Sequence, residues 1–259
     1  MRHADSEGNE VKRLLKIGNR NPLPKGFGDR HSSDYHLTNK GYEQAKIAGE
    51  WIRKNGGLEF DLYYTSPFLR ATETADSLQL PFAQWDPKPH LRERDWGVLD
   101  TVAKQEEFAK YEEEVARHRY GPFVCKPAGA ESMADLCVRA SLFCVETLQT
   151  EGDGKNVIAV AHGDIMRAFQ IVLGQMSVFE YLEMAAANRP EENIYNCQIF
   201  HYSREGPARK KLCPNLDWMR SIRPTDPKIL KPLWMPIKRQ KYTNSELRKI
   251  AGETERMIK

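Results

Sequence analysis

Val157-Ile158-Ala159-Val160-Ala161-His162-Gly163 is the stretch that decides how this chain folds. Five apolar residues run without a polar break between the turn at Gly152–Gly154 and the glycine at 163. Strict alternation would mark a half-covered strand; a continuous run marks one buried on both faces, as in a parallel sheet with helices on either side. The run ends on a histidine, and a helix is predicted from about Asp164 to Leu173. A polar residue at the carboxyl end of such a strand sits where open α/β sheets place their chemistry.

Outward from this strand the pattern repeats. Phe60 to Thr65 reads as a strand, with Leu62 and Tyr64 on one side, and it delivers Ser66-Pro67 at its carboxyl end. Pro67 suits the start of a helix running to about Leu78, which puts Arg70 in the first turn, where a cation is unfavourable unless an anion binds there. Pro81 to Asp86 is a weak strand and Tyr195 to Tyr202 the last one. Thr38 caps a helix with Tyr42, Ala45, Gly49 and Ile52 on its buried face, stopped by Asn55-Gly56-Gly57. Val102 to Arg117 is a charged helix with Phe108, Tyr111 and Val115 inward. Ser132 to Asp135 starts a helix reaching about Thr150, with Leu136, Ala140, Phe143 and Leu148 inward. Val178 to Ala187 is a further helix. Glu10 to Lys16 is a short helical turn, and Gly18 to His36, rich in Gly, Pro, Asn and Asp, is a loop. Alternating strands and helices give the α/β class: a three-layer α/β/α sandwich around a mostly parallel sheet.

At 259 residues, 40% apolar and 10% aromatic, the chain has globular composition. No apolar run approaches the roughly 18 residues of a membrane helix, so no membrane span is expected. Five cysteines form no CxxC pair, and Cys137, Cys144 and Cys197 sit in apolar patterns, as core thiols of a cytoplasmic protein would. The seven histidines show no ligand cluster, so neither a metal nor another cofactor is expected. From Ser203 to the end there are 15 Lys and Arg against 6 Asp and Glu; subtraction from the totals of 39 and 36 leaves 24 against 30 upstream. An acidic part, residues 1–203, thus carries a basic one, residues 204–259. Six prolines between 207 and 236 forbid long elements there, yet Leu216, Trp218, Met219, Ile222, Leu230, Leu233 and Trp234 are too apolar for a free linker. This is read as an arm on the core, on a second copy or on a partner, closed by a helix from Thr243 to about Ile258. Its cations are scattered among prolines and acids, so nucleic acid is not expected as a partner.

The chain opens Met1-Arg2-His3-Ala4-Asp5-Ser6-Glu7-Gly8-Asn9. A neutral imidazole is a competent nucleophile toward phosphorus, and a guanidinium beside it can clamp two phosphate oxygens. In order follow Thr65-Ser66-Pro67-Phe68-Leu69-Arg70-Ala71-Thr72-Glu73-Thr74-Ala75, then Leu91-Arg92-Glu93-Arg94-Asp95-Trp96-Gly97, then Pro127-Ala128-Gly129-Ala130-Glu131-Ser132, and then the strand ending in His162. Over about residues 1–203 this set resembles the histidine phosphatase superfamily, in its phosphoglycerate mutase-like branch.

The resemblance implies a metal-independent phosphomonoesterase working through phosphohistidine on a small phosphorylated substrate. His3 would be the nucleophile, Glu93 the proton donor, and Arg2, Arg70 and His162 the groups around the phosphate. Asn9 and Ser6 would help hold it, against the simpler reading that they cap a helix. Ala4 and Asp5 stand where the family usually has glycine and glutamate. Trp96 replaces the tyrosine of true mutases, and Gly18 to His36 lacks their Thr-Gly-Trp stretch; both differences favour hydrolysis over mutase action. A phosphoglycerate mutase, and a binding or scaffold protein with a vestigial phosphate site, are the alternatives. In the family the Arg-His pair ends a central strand. The first strand is therefore expected to be missing here except for Met1, with four to six apolar residues expected just upstream, or the arm after Ser203 in its place.

Overall fold

The computed structural model describes residues 1–17, 24, 26–55, 59–100, 105–118, 120–207, 212–226, 233–239 and 241–258, with side chains from 109 onward in helix α4 (Gln105–Ala116), which the short helix α5 (Gly121–Val124) follows. Gly56, Gly57, Val102, the Phe108 side chain and Leu230, on which parts of the sequence reading rest, lie outside the described residues. Three strands, β1 (Leu62–Thr65), β2 (Trp85–Pro87) and β3 (Val157–Val160), form a parallel sheet in the order β2-β1-β3. Tyr63 lies opposite Trp85 on one side and Ile158 on the other.

The pleat sends alternate residues to opposite faces. Ile158 and Val160 pack with Ala45, Ala48, Ile52, Ala71, Ala75 and Leu78, from helices α2 (Asn39–Asn55) and α3 (Leu69–Ser77) and the turn that ends α3. Val157, Ala159 and Ala161 face Leu136, Ala140, Phe143, Ile165 and Ala168, from α6 (Met133–Phe143) and α7 (Gly163–Gly174). Helices therefore cover both faces of the sheet, as the unbroken apolar run at 157–161 requires. Each fully buried branched side chain here, Val160 and Ile165 among them, contributes about 1.5–3 kcal/mol. Asp in place of Val160 would bury a carboxylate with no partner.

On the free edge of β3, Met1 to His3 run parallel to it. The Met1 nitrogen donates to Ala159 O, Ala161 N to Met1 O (2.8 Å) and His3 N to Ala161 O (2.8 Å). On their other side Arg2 N donates to Gln198 O (2.9 Å) and Cys197 N to His3 O (3.3 Å). These three residues thus form the rungs that carry Arg2 and His3 to the sheet's carboxyl edge. The arm takes a different place: β5 (Trp218–Ile222) pairs antiparallel with β4 (Ile199–Ser203), and β6 (Met235–Pro236) pairs with β5.

Element ends differ from the sequence reading for local reasons. Helix α1 (Glu7–Lys16) starts three residues before Glu10, because Ser6 and Asn9 cap it. β2 starts at Trp85 rather than Pro81, since proline lacks an N–H and Phe82 sits at φ 60°. β4 starts at Ile199 rather than Tyr195, because 194–198 form a turn with Cys197 at φ 57°. The helix after Ser132 widens into a π-helical turn at Cys144–Leu148, which keeps Leu148 against the core. The last helix, α9 (Asn244–Gly252), stops at a glycine six residues before Ile258, and no residue of it is buried to reward continuation. No described helix is long and apolar enough to cross a membrane.

Candidate active site

His3 is 2% exposed. Its Nδ1 lies 2.6 Å from Ala4 O. A carbonyl can only accept, so Nδ1 carries the proton and Nε2 keeps its lone pair. Burial, then Arg70 and Arg2, hold the ring well below the usual histidine range, so it is neutral at pH 7. The backbone around it is equally constrained: Ala4 N donates to Thr74 Oγ1 (3.0 Å), and Thr74 Oγ1 donates to Arg70 O (2.6 Å).

Arg70, in the first turn of α3, faces this lone pair. Its Nε donates to His3 Nε2 at 3.2 Å, its Nη1 donates to Ser32 O, and its Cζ lies 5.1 Å from the Phe68 ring centroid. Ser32 is held in turn by Asp100, which accepts from Ser32 N (2.9 Å) and Oγ (2.8 Å). Arg2 donates from Nη1 to Ile194 O, while its buried Nε has no partner among the described residues. Burial lowers both guanidinium pKa values, and the Glu93 carboxyl opposes this in each case.

His162 caps α7 from the end of β3 and is fully buried. Its ring centroid is 5.0 Å from that of His3, and its Nε2 is 2.7 Å from Ser66 Oγ at the end of β1. Its Nδ1 has no partner among the described residues. Burial and the nearby Arg70 push this ring, too, well below the ordinary value.

Glu93 lies over the N-terminus of α7. Its carboxyl oxygens accept from Gly163 N, Asp164 N and Arg94 N, each at 3.1 Å. Burial and the adjacent Asp164 raise its pKa above the usual carboxylate range, against the pull of Arg70. Its neighbours pair elsewhere: Arg94 stacks over Trp96 (4.2 Å) and Arg92 faces Glu131 (3.7 Å). Glu93 is therefore no member of a surface ion cluster.

The Glu93 loop is held by residues that the motifs alone do not single out. Arg139 donates from Nη1 to His90 O and Arg92 O and from Nη2 to Glu93 O (3.2 Å), and its fork also grips Glu131 at 2.9 and 2.7 Å. Glu131 also accepts from Asp95 N (3.0 Å), which ties Pro127–Ser132 to Leu91–Gly97. Gly97, at φ 52°, brings its Cα so close to Ala128 O that a Cβ would stand 2.2 Å away.

The structure sets His3 against Arg70 and His162, with Glu93 bonded to Gly163 N directly after His162 and Arg2 beside Gly163 and Glu93. Ser6 and Asn9 are engaged in capping: Asn9 Oδ1 accepts from Ser6 N (3.2 Å) and Ser6 Oγ (3.1 Å). Among the described residues, no group of three or more His, Cys, Asp or Glu could hold a metal ion.

A profile of the histidine phosphatase superfamily (branch 1) matches residues 1–190. The chain belongs to this superfamily. A 2,3-bisphosphoglycerate-dependent phosphoglycerate mutase of Methylocella silvestris is 33% identical over 149 residues, 56% of this chain and 72% of that protein. Among solved structures, Bacillus stearothermophilus YhfR aligns with TM-score 0.59 and 21% identity over 79% of this chain and 89% of its own. A phosphoserine phosphatase from Entamoeba histolytica in complex with 3-phosphoglyceric acid aligns with TM-score 0.55 and 16% identity over 92% and 94%.

The two departures of this histidine phosphatase superfamily member at positions 4 and 5 are accommodated. Ala4 is fully buried and has no positive φ, so its methyl group is core and not strain. Burial would raise the Asp5 pKa, but bonds from Arg13 (2.7 and 2.9 Å) and Thr38 (2.9 Å) prevail and leave it below the carboxylate range.

Proposed function

We propose that this chain is a metal-independent phosphomonoesterase that hydrolyses a small phosphorylated substrate through a phosphohistidine. What supports this most is the His3 ring, neutral, with its proton locked on Ala4 O and its Nε2 lone pair facing Arg70. Nε2 attacks phosphorus as the bond to the ester oxygen breaks, and Glu93 gives its proton to that oxygen. Water then attacks the phosphohistidine, Glu93 takes the water's proton, and His3 leaves unchanged with inorganic phosphate released. Arg70, Arg2 and His162 stabilise the charge on the transferring group, together with the N-terminus of α7. Arg70 exchanges its bond to His3 Nε2 for the phosphoryl oxygens, and Asn9 adds a donor, while Ser6 fixes Asn9. Glu93 is suited to the acid role because burial raises its pKa.

The buried thiols of Cys144 and Cys197 favour a reducing, cytoplasmic setting. Residues 1–203 are taken as the catalytic unit and 204–259 as an accessory arm.

The names of curated relatives favour a second reading, a phosphoglycerate mutase. One experiment separates the two. Small phosphate esters, acidic ones first, are assayed for phosphate release, and 3-phosphoglycerate is assayed for conversion to its 2-isomer with and without 2,3-bisphosphoglycerate. Phosphate release without primer is expected; primer-dependent isomerisation faster than any release would overturn the hydrolase reading.

A further inference from the structure

The turn between α8 (Val178–Ala187) and β4 is absent from the chemistry above, yet it hydrogen-bonds the Arg2-His3 pair through Ile194, Asn196, Cys197 and Gln198. Ile194 O accepts from the Arg2 guanidinium, and Gln198 O from Arg2 N (2.9 Å). His3 O accepts from Cys197 N (3.3 Å) and Asn196 Nδ2 (3.1 Å). The same Asn196 Nδ2 donates to Asn9 Oδ1 at 3.1 Å. Both acceptors are fixed in kind: a carbonyl cannot donate, and Asn9 Oδ1 is identified by Ser6 N, which can only donate to it.

The turn is built for this contact at a cost. Cys197 holds φ 57°, a left-handed conformation that is strained for a non-glycine residue, and its fully buried side chain belongs to the same core cluster as Ala4. Gln198, 6% exposed, clamps the turn by accepting from Tyr195 N (2.7 Å) and donating to Ser221 Oγ (2.8 Å) on β5 of the arm. Strain retained at a turn that closes on a nucleophile is a sign of positioning.

We propose that Asn196 is a positioning residue for phosphoryl transfer: its NH2 group ties the His3 carbonyl to Asn9 Oδ1, holding the His3 backbone and turning the Asn9 NH2 group outward as a phosphate donor. Three donors on Asn9 Oδ1 leave only one amide orientation, and Asn9 Nδ2 has no acceptor among the described residues. Without Asn196, one of those donors is lost and the amide of Asn9 is free to rotate. This inference rests on the phosphatase reading of His3 and on no particular substrate.

The test compares Asn196→Asp, Asn196→Ala, Asn9→Ala and the Asn196→Ala/Asn9→Ala pair in the full chain. Orthovanadate affinity is read by calorimetry and phosphate release with p-nitrophenyl phosphate. Asn196→Asp, the closest in shape, sets a carboxylate against two acceptors and is expected to be the worst: about 10²-fold lower kcat/KM, and weaker vanadate binding. Asn196→Ala is expected to lose about tenfold alone and less than threefold when Asn9 is already Ala, because the two act as a unit. Should Asn196→Asp fail to fold by circular dichroism, the Ala cycle alone decides. Additive losses, or an aspartate variant equal to wild type, overturn the inference while leaving the phosphatase reading intact. A folded wild-type chain that neither binds vanadate nor releases phosphate overturns both.

Discussion

The carboxyl edge of the parallel sheet and the antiparallel sheet of the arm handle charge in opposite ways. At the edge, His3, Arg70 and His162 are 2%, 6% and 0% exposed, and their polar atoms, His162 Nδ1 excepted, meet carbonyls, a hydroxyl or one another. In the antiparallel sheet and the turn after it two half-buried arginines lie on rings: Arg220 is 4.5 Å from the Trp234 centroid and Arg223 is 3.7 Å from that of Tyr195. His201 sits beside the same tryptophan at 4.8 Å and accepts from Arg220 Nε at 3.1 Å. A stacked cation contributes about 0.5–1 kcal/mol and commits the protein to no chemistry. A buried cation is expensive unless charge and hydrogen bonds compensate it, and at Arg2 and Arg70 the Glu93 carboxyl and backbone carbonyls do so in part. The difference teaches that Arg220 and Arg223 are engaged in packing within the antiparallel sheet, whereas Arg2 and Arg70 at the edge are held by backbone carbonyls in the place where the proposed function needs an anion met.

Removal of the proposed nucleophile is the strongest way to break this comparison. His3→Ala is expected to lower phosphate release by about 10³-fold or more. In wild type, quenching with labelled substrate should trap acid-labile, alkali-stable phosphate on the protein. A variant with wild-type turnover would place the chemistry elsewhere.

Next in size is Glu93→Gln. Alkyl phosphates should slow by about 10²-fold and p-nitrophenyl phosphate by less than tenfold, since a phenolate leaves with little protonation. Equal losses in single-turnover assays would remove Glu93 from the acid role.

The buried histidines sharpen the contrast through pH. Burial, aided by nearby arginines, lowers the folded-state pKa of His3, His162 and, to about 4, His201. As pH falls below about 6.5 the unfolded chain takes up these protons first, so stability is full above that pH and declines below it. Each such histidine contributes up to about 1.4 kcal/mol per pH unit, for His201 between about 6.5 and 4. Urea unfolding at pH 7.5, 6 and 5 should show this decline, and His201→Gln should shallow it; a flat profile would mean that these rings are not held neutral.

The smallest effect is expected in the arm. Trp234→Ala should destabilise by about 1 kcal/mol through lost stacking and leave kcat/KM within about twofold. A tenfold loss of activity would show that the two sheets do not divide the work as described.

Much was legible in the sequence because it is local. The unbroken run at 157–161 announced a doubly covered strand, Thr38 and Ser132 announced helix starts, and the motifs around His3, Arg70, Glu93 and His162 named the groups that now meet. The resemblance carried by those motifs added roles that periodicity alone could not supply. Where local signals conflict with steric detail the reading slipped, as at Pro81, at the turn before Ile199 and past Gly252.

What only the tertiary structure decided is which carbonyl or hydroxyl stands opposite each donor. Arg139 reaches the backbone at 90–93, Ser66 meets His162, and Asn196 closes on His3 across 193 residues of chain. Periodicity specifies which face of an element is apolar, since that depends only on the 2.0 or 3.6 repeat of its own backbone. Hydrogen bonds between distant segments depend on distances of a few tenths of an ångström and on angle, which are set when whole layers pack. Hence the residues proposed to react could be read from the chain, and the hydrogen bonds that hold them became visible only once it was folded.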